Sequence, residues 1–434
     1  MLKLAAGLVL GLVIAFTGVV GAHAAPEPLI AKGKPADWLF VYKFNAWTAP
    51  TAPSDPRRKC TFGGDVHKFT KVGDFSHAYA FASSASPSLK LGSGLLGVTD
   101  QDPLGATFAA IFNGNLSYVV YNDQFEDAPP ISGCGAFCAD PWAHAKGVIA
   151  WDDQGNGILL QVTTPSWPGA GGAGSPRKGD GNTLGCTGRN NLLYAQHFFA
   201  LKLSPNDTAV VLQAAYNAGV PTRTDMDQVF HLQPAGPDAL AQIARRFGDN
   251  TPAGAKAYAA RLDSGVQLIS KPAVLHVPPW QMVSAMLGGE PLRVASWITG
   301  DVGLPSTVAG KPGCWDPSLG APARVEIALT GTWNGKPIAL NGGRGPIGGN
   351  HAKIGVSLAG GHDYAIFGDM NQTGGLLSHC DKSQNPRGGL FFAVQDSALA
   401  GSVRALLQGH TAADGDRTVD EGAVKWATPA RRRR

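Results

Sequence analysis

His144-Ala145-Lys146 and His351-Ala352-Lys353 are the same three residues written twice, once in each half of the chain, and each opens the same local pattern. After the first come the apolar run Gly147–Trp151, the turn Asp152-Asp153-Gln154-Gly155-Asn156-Gly157 and a second apolar run, Ile158–Val162. After the second come Ile354–Leu358, the turn Ala359-Gly360-Gly361-His362-Asp363, then Tyr364–Phe367 and the polar Gly368-Asp369-Met370-Asn371. Short apolar runs joined by Gly- and Asp-rich turns predict two strand–turn–strand hairpins. Residues i and i+2 of a strand share a face, so each His is expected beside its own Lys. A chain that builds this unit twice can bring two imidazoles and two ammonium groups to one place, which is a site for a phosphate.

The N-terminus has the three parts of an export signal: Met1-Leu2-Lys3, the apolar run Leu4–Val20, and the small-residue site Ala22-His23-Ala24. Cleavage is expected after Ala24, which makes residues 1–24 a signal peptide. No later segment is long and apolar enough to span a bilayer, so no membrane contact is expected once the signal is removed. What remains exceeds the length one core usually organises. Two domains are therefore expected, 25–235 and 236–424, with the boundary in the proline-punctuated stretch Gly219–Pro237. A basic tail, 425–434, ends in Arg431–Arg434. The formal net charge of +4 is too small to make the whole surface a polyanion binder, so any such site must concentrate Lys and Arg locally. The six cysteines of an exported chain argue for disulfides. Cys134 and Cys138 read as a local pair, because no second Cys/His pair stands at zinc-finger distance.

Trp38–Phe44 and Ser117–Tyr121 read as buried strands, Ser76–Ser84 as a weaker one, and Leu192–Leu203 as a further buried run. Ser166–Gly188, rich in Gly, Ser and Pro, reads as a surface loop. Asp238 is expected to cap a helix carrying Leu240, Ile243, Ala244 and Phe247 at helical spacing and ending at Gly248. Pro279–Leu287 and Ser397–Gln408 are expected to be helices as well. Strands and helices mix in both halves, so the fold class is α/β, with two halves related by duplication.

Breaking a phosphodiester without a metal needs a nucleophile, an acid for the leaving oxygen, and fixed positive charge on the non-bridging oxygens. Two histidines can share the first two roles, and two lysines can supply the third. Asn371 and Ser357 or Thr164 are candidate hydrogen-bond donors, and Asp369 or Asp152 could orient an imidazole through its second nitrogen. No carboxylate cluster for magnesium stands out, and no metal or other cofactor is expected. A lone His-x-Lys says nothing, but two copies heading matched hairpins do. The remaining histidines (His67, His77, His197, His231, His276, His362, His379 and His410) show no partner pattern and read as core or surface residues. Arg177, Lys178, Arg189, Arg344 and Arg387 lie beside the hairpins and are the candidate backbone contacts to a nucleic acid, adding affinity without sequence preference.

Trp38-Leu39-Phe40-Val41-Tyr42-Lys43, Tyr121-Asn122-Asp123-Gln124, His144-Ala145-Lys146-Gly147-Val148, Asn350-His351-Ala352-Lys353 and Gly368-Asp369-Met370-Asn371 resemble the landmarks of deoxyribonuclease II, in that family's order, from about Asp37 to about Leu407. That family is similar in turn to the phospholipase D superfamily. The resemblance implies two phospholipase D-like α/β/α sandwich lobes on a pseudo-twofold axis, each donating one His-x-Lys hairpin to a shared site. It also implies an endonuclease that cuts double-stranded DNA without a divalent metal, favours acid, and leaves 3′-phosphate and 5′-hydroxyl ends. By position, His144 and His351 are then the catalytic imidazoles, and Lys146 and Lys353 grip the phosphate. His144 is expected to attack phosphorus, and His351 to protonate the leaving oxygen and then activate water. The flanking pattern departs from the phospholipases: Trp151 and Leu358 stand where an Asp would follow each Lys, and Thr163-Thr164-Pro165-Ser166 is only a loose counterpart of Gly368–Asn371.

Two other functions use the same four residues, a phosphodiesterase acting on lipid head groups and an inactive nucleic-acid-binding relative. A ribonuclease-A-like route would need a 2′-hydroxyl. Both halves of the site lie in one polypeptide, so a monomer or a homodimer is expected, secreted or periplasmic.

Overall fold

The computed structural model describes residues 25–47, 77–124, 134, 137–165, 193–247, 254–298, 303–342 and 349–414. In chain order the first half supplies a small hairpin of β1 (Leu29–Ala31) and β2 (Lys34–Pro35), then β3 (Trp38–Lys43), β4 (Tyr79–Ser83), β5 (Ser86–Leu91), α1 (Pro103–Phe112) and β6 (Ser117–Asn122). It continues with β7 (Lys146–Trp151), β8 (Gly157–Val162), β9 (Gln196–Leu203), α2 (Pro205–Ala218) and β10 (Phe230–His231). The second half supplies α3 (Asp238–Arg245), β11 (Tyr258–Arg261), β12 (Gln267–Lys271), α4 (Pro279–Met286), β13 (Leu292–Ala295) and β14 (Val325–Ile327). A hairpin of β15 (Thr330–Trp333) and β16 (Lys336–Ala339) follows, then β17 (Ile354–Ser357), β18 (Tyr364–Gly368), β19 (Gly389–Gln395) and α5 (Ser397–Leu406).

These strands build an eight-stranded sheet in the order β10-β6-β7-β8-β9-β3-β4-β5 and a seven-stranded sheet in the order β11-β12-β19-β18-β17-β13-β14. Among the strands of the described residues, only β13 and β14 pair in parallel. Within the larger pattern one arrangement occurs twice. The run β6-β7-β8-β9-β3 matches β13-β17-β18-β19-β12, with a helix before its first strand (α1, α4) and another after its fourth (α2, α5). Both expected hairpins form, β7 with β8 and β17 with β18, each antiparallel.

The middle strands are apolar at consecutive positions because both of their faces are buried. In β3, Phe40 and Tyr42 face the second sheet, while Leu39 and Val41 face outward under α1 with Leu104, Phe108 and Ile111. The two sheets meet through aromatic rings: Phe40 lies 4.3 Å from Phe367, and Phe199 lies 4.6 Å from Phe367 and 5.6 Å from Phe392. Helices α2 and α5 fill the same inner layer, α2 touching β7, β8 and β9 on one side and β12 and β19 on the other. The outer face of the second sheet is closed by Trp280, Met282 and Val283 of α4. Truncating any one of these buried rings costs about 3–5 kcal/mol.

Local signals account for most boundaries. Asp102 caps α1 by accepting N–H groups of Leu104 and Gly105, and Ser204 caps α2 by accepting from Asp207, with Pro at the start of each helix. Neither helix was expected from periodicity, although these cap signals were there to be read. Asp238, expected as a cap, is instead the first helical residue, and Pro237 precedes it without a side-chain bond. Strand β10 still pairs in the first sheet, α3 packs on α2, and β11 opens the second sheet. Disulfides join Cys134 to Cys138 and Cys314 to Cys380. Among the described residues, no helix is long and apolar enough to cross a membrane. The expected signal peptide, the Ser166–Gly188 loop and the basic tail lie outside the described residues.

Candidate active site

The two His-Ala-Lys segments lie at the seam between the sheets, in the extended residues that lead into β7 and β17. The ladder begins at Lys146 in the first and at Ile354 in the second, so each His stands just ahead of its strand rather than within it. Their docking is reciprocal. The His144 backbone N–H donates to the carbonyl of Gly388, the residue before β19, at 2.9 Å, and the His351 N–H donates to the carbonyl of Ala195, the residue before β9, at 2.8 Å. Each histidine is thus anchored on the opposite half of the fold. Gly388 has to be glycine, because a Cβ there would sit 1.8 Å from the Ala218 carbonyl oxygen at the end of α2.

On the first side Lys146 forms a buried ion pair with Asp123. Arg387 closes the same cluster: its guanidinium donates to Asp123 Oδ2 at 2.9 Å and to the carbonyls of Cys138 (2.6 Å), Ala143 (3.0 Å) and Trp142 (3.2 Å). Burial alone would raise the Asp123 carboxyl, but Lys146 and Arg387 together hold it below the ordinary carboxylate value. Arg387, expected as a loop contact to nucleic acid, is instead a buried strut from the second half into the first. Its Nε and Nη2 groups are committed to one carboxylate and three carbonyls.

On the second side Lys353 Nζ donates to the His351 carbonyl at 2.7 Å and lies 3.1 Å from His351 Nδ1. That ring nitrogen is also 3.2 Å from Gln196 Oε1, which accepts from the Thr163 hydroxyl at 2.8 Å. The Lys353 backbone N–H donates to His197 Nδ1 at 3.2 Å, so the His197 proton sits on Nε2, facing Gln161 Oε1 at 3.4 Å. Burial and the Lys353 charge hold His197 well below the ordinary imidazole value.

Of the other expected participants, Asp369 is buried at the seam, where its Oδ2 accepts the Leu390 N–H at 3.0 Å. Burial raises its carboxyl to about 7, against the pull of that N–H and of Lys146 and Lys353. Asn371 follows two residues later, nearly buried, with its N–H on Gln384. Thr164 is buried with no hydrogen-bond partner for its hydroxyl among the described residues. The hydroxyl that enters the network is that of Thr163. Pairing of Gly147 with Gln161 and of Ile354 with Phe367 makes Thr163 the counterpart of Asp369. Correspondingly, Thr163 Oγ1 accepts the His197 N–H at 2.9 Å where Asp369 accepts that of Leu390. Asp152 does not orient an imidazole: it caps its own turn, accepting from Gln154 and Asn156, at the far end of β7. Six residues of strand separate it from His144, roughly 20 Å. Ser357 likewise caps the β17–β18 turn through Tyr364. Arg177, Lys178, Arg189 and Arg344 lie outside the described residues.

Asp123, Gln161, Thr163, Gln196 and His197 were not singled out from the sequence. Asp123 stands inside the Tyr121–Gln124 landmark. Gln196-His197 is a pair of polar residues opening an otherwise apolar strand, a signal that such side chains have partners.

The electrostatics tie both segments together. His144 is held well below the ordinary imidazole value first by burial, then by Lys146, Arg387, Lys353 and His351. His351 is lowered in the same way by burial, Lys353 and Lys146, and Lys353 by burial and Lys146. Each imidazole therefore feels both lysines, one from each half. Among the described residues no three His, Cys, Asp or Glu side chains converge as a metal-ligand group.

Fold and seam together define a mixed α/β protein with a buried basic cluster between two sheets. Residues 30–411 match the family model described as Deoxyribonuclease II, which spans most of the chain. The chain belongs to the deoxyribonuclease II family, and it is a hydrolase, an endonuclease acting on DNA. A search of the curated proteins found no match.

Proposed function

We propose that the chain is a metal-independent, acid-favoured endodeoxyribonuclease built from two phospholipase D-like lobes, 25–235 and 236–424, related by a pseudo-twofold axis. The supporting observation is the reciprocal docking of His144 on Gly388 and of His351 on Ala195, which carries both imidazoles to one seam under a shared field of two lysines. In this reading a DNA phosphate enters between them, and Lys146 and Lys353 neutralise its non-bridging oxygens.

His144, as neutral imidazole, attacks phosphorus, forming a P–N bond as the P–O5′ bond breaks. His351, as imidazolium, gives its Nε2 proton to the departing 5′-oxygen while Nδ1–H donates to Gln196 Oε1. His351, now neutral, takes a proton from water as that water attacks phosphorus. The P–N bond then breaks, leaving a 3′-phosphate and restoring both imidazoles. Because burial and Lys353 depress His351, the imidazolium form becomes available only as pH falls, which supplies an acidic optimum. Asp369, protonated below about 7, then meets the phosphate as a neutral donor rather than as a repelling carboxylate. The signal-like sequence Met1–Ala24 and the disulfides support a secreted or periplasmic location.

The test is analysis of the ends of plasmid DNA cut by the purified protein in EDTA. The expected products carry 3′-phosphate and 5′-hydroxyl, and strict dependence on added magnesium would reject the mechanism.

A further inference from the structure

Among the differences between the two halves of the seam, one exchanges a charged group for an aromatic ring. Strand pairing sets Tyr121 against Gly147 and Ala295 against Ile354, so Asp123, two residues past Tyr121, corresponds to Trp297, two residues past Ala295. Where the first half has the carboxylate that pairs with Lys146, the second half has an indole. The Trp297 ring lies edge-on to the His351 imidazole, centroids 5.2 Å apart. Tyr194 backs it at 5.0 Å, and Trp47 backs Tyr194 at 5.5 Å. Three chain segments, following β3, preceding β9 and following β13, thus converge as a row of rings that ends at His351. The chain leading to His351 passes close beneath that row, since a Cβ on Gly349 would meet the Trp47 ring at 2.6 Å.

Exposure gives the row a direction. Of the side chains that touch the His351 ring, Gln196 and Lys353 are buried, whereas Trp297 is only half-buried, as is Trp47 at the other end. Trp297 therefore stands between the histidine and solvent, with the buried Tyr194 as its backing. A nucleobase hangs one sugar away from its phosphate, so a phosphate held at His351 brings a base to this wall. Aromatic side chains hold unpaired bases by stacking, without discriminating among them.

We propose that Trp297, backed by Tyr194 and Trp47, is a nucleobase-stacking subsite that holds the base beside the scissile phosphate, turned out of its stack. The inference rests on the nuclease reading of the seam and adds to it the state of the bound substrate: the base next to the cut leaves its stack and rests on Trp297 while the bond breaks.

The experiment uses an end-labelled single-stranded oligonucleotide carrying one abasic nucleotide, whose other phosphates serve as internal controls. Wild-type protein is expected to cut bonds flanking the abasic site ~5- to ~100-fold less than the remaining bonds, the range that the loss of one base–aromatic stack corresponds to. Trp297→Ala is expected to cut the whole ladder weakly but evenly, and Trp297→Phe to restore the dip at the abasic site. An even ladder from wild type, or an undiminished dip in Trp297→Ala, overturns the subsite while leaving the nuclease reading standing. Absence of cutting by wild type on this strand and on plasmid DNA alike overturns the nuclease reading and the subsite with it, whereas cutting of plasmid DNA but not of this strand overturns the subsite alone.

Discussion

Asp369→Asn is the perturbation whose sign and size the structure specifies best. The side chain is buried, its Oδ2 accepts one backbone N–H, and burial lifts its carboxyl from 3.8 to about 7. A carboxyl raised on folding binds its proton more tightly in the native state than in the unfolded chain. It therefore stabilises fully below about pH 4, and that stabilisation is lost as pH rises to about 7, with no further change above. At 1.36 kcal/mol for each tenfold change in proton affinity, the rise amounts to about 4 kcal/mol. Asparagine mimics the protonated acid, keeps an acceptor for Leu390 and does not titrate. The difference in unfolding free energy, variant minus wild type, should accordingly grow by about 4 kcal/mol between pH 4 and pH 8. Denaturant titrations of both proteins across that range, with the disulfides intact, measure it. A difference that stays flat would refute the assignment of a protonated Asp369 at the seam.

His144→Ala and His351→Ala should each lower plasmid cutting by about 100-fold or more while leaving circular dichroism unchanged, the range expected for a lost nucleophile or acid. Arg387→Met should destabilise the fold by about 3–5 kcal/mol, because it breaks a buried charge cluster, and should leave the salt dependence of DNA binding untouched. Gly388→Ala forces the chain away from Ala218 and moves the carbonyl that holds His144, so kcat should fall more than KM rises. The rate profile should be bell-shaped with an acidic optimum, since burial and the lysines depress both imidazoles. A rate still rising beyond pH 9 would contradict the paired-imidazole route.

The hairpins β7–β8 and β17–β18 were legible because a strand with a glycine-rich turn is a local object: neighbouring residues carry its whole signal. The same holds for β3, β6 and α4, whose observed limits differ from expectation by a residue or two. Asp152 misled for an equally physical reason. It is near Lys146 in sequence, but an extended strand carries it away at every step, and its turn absorbs its carboxylate. Arg387 misled because a charged residue in a loop is ordinarily solvated, and only the close approach of Asp123 and three carbonyls makes burial tolerable.

From the chain alone come the duplicated His-Ala-Lys unit, its hairpins, the unbroken apolar runs that mark the central strands as buried, and the family to which those landmarks point. All of these depend on residues within a few positions of one another. Packing of the two sheets decided which histidine leans on which half, that Thr163 rather than Thr164 answers Asp369, that His197 holds the backbone of Lys353, and that an indole takes in the second half the place a carboxylate holds in the first. Those contacts join residues far apart in sequence, and their energies come from desolvation, which exists only once the sheets have closed on each other.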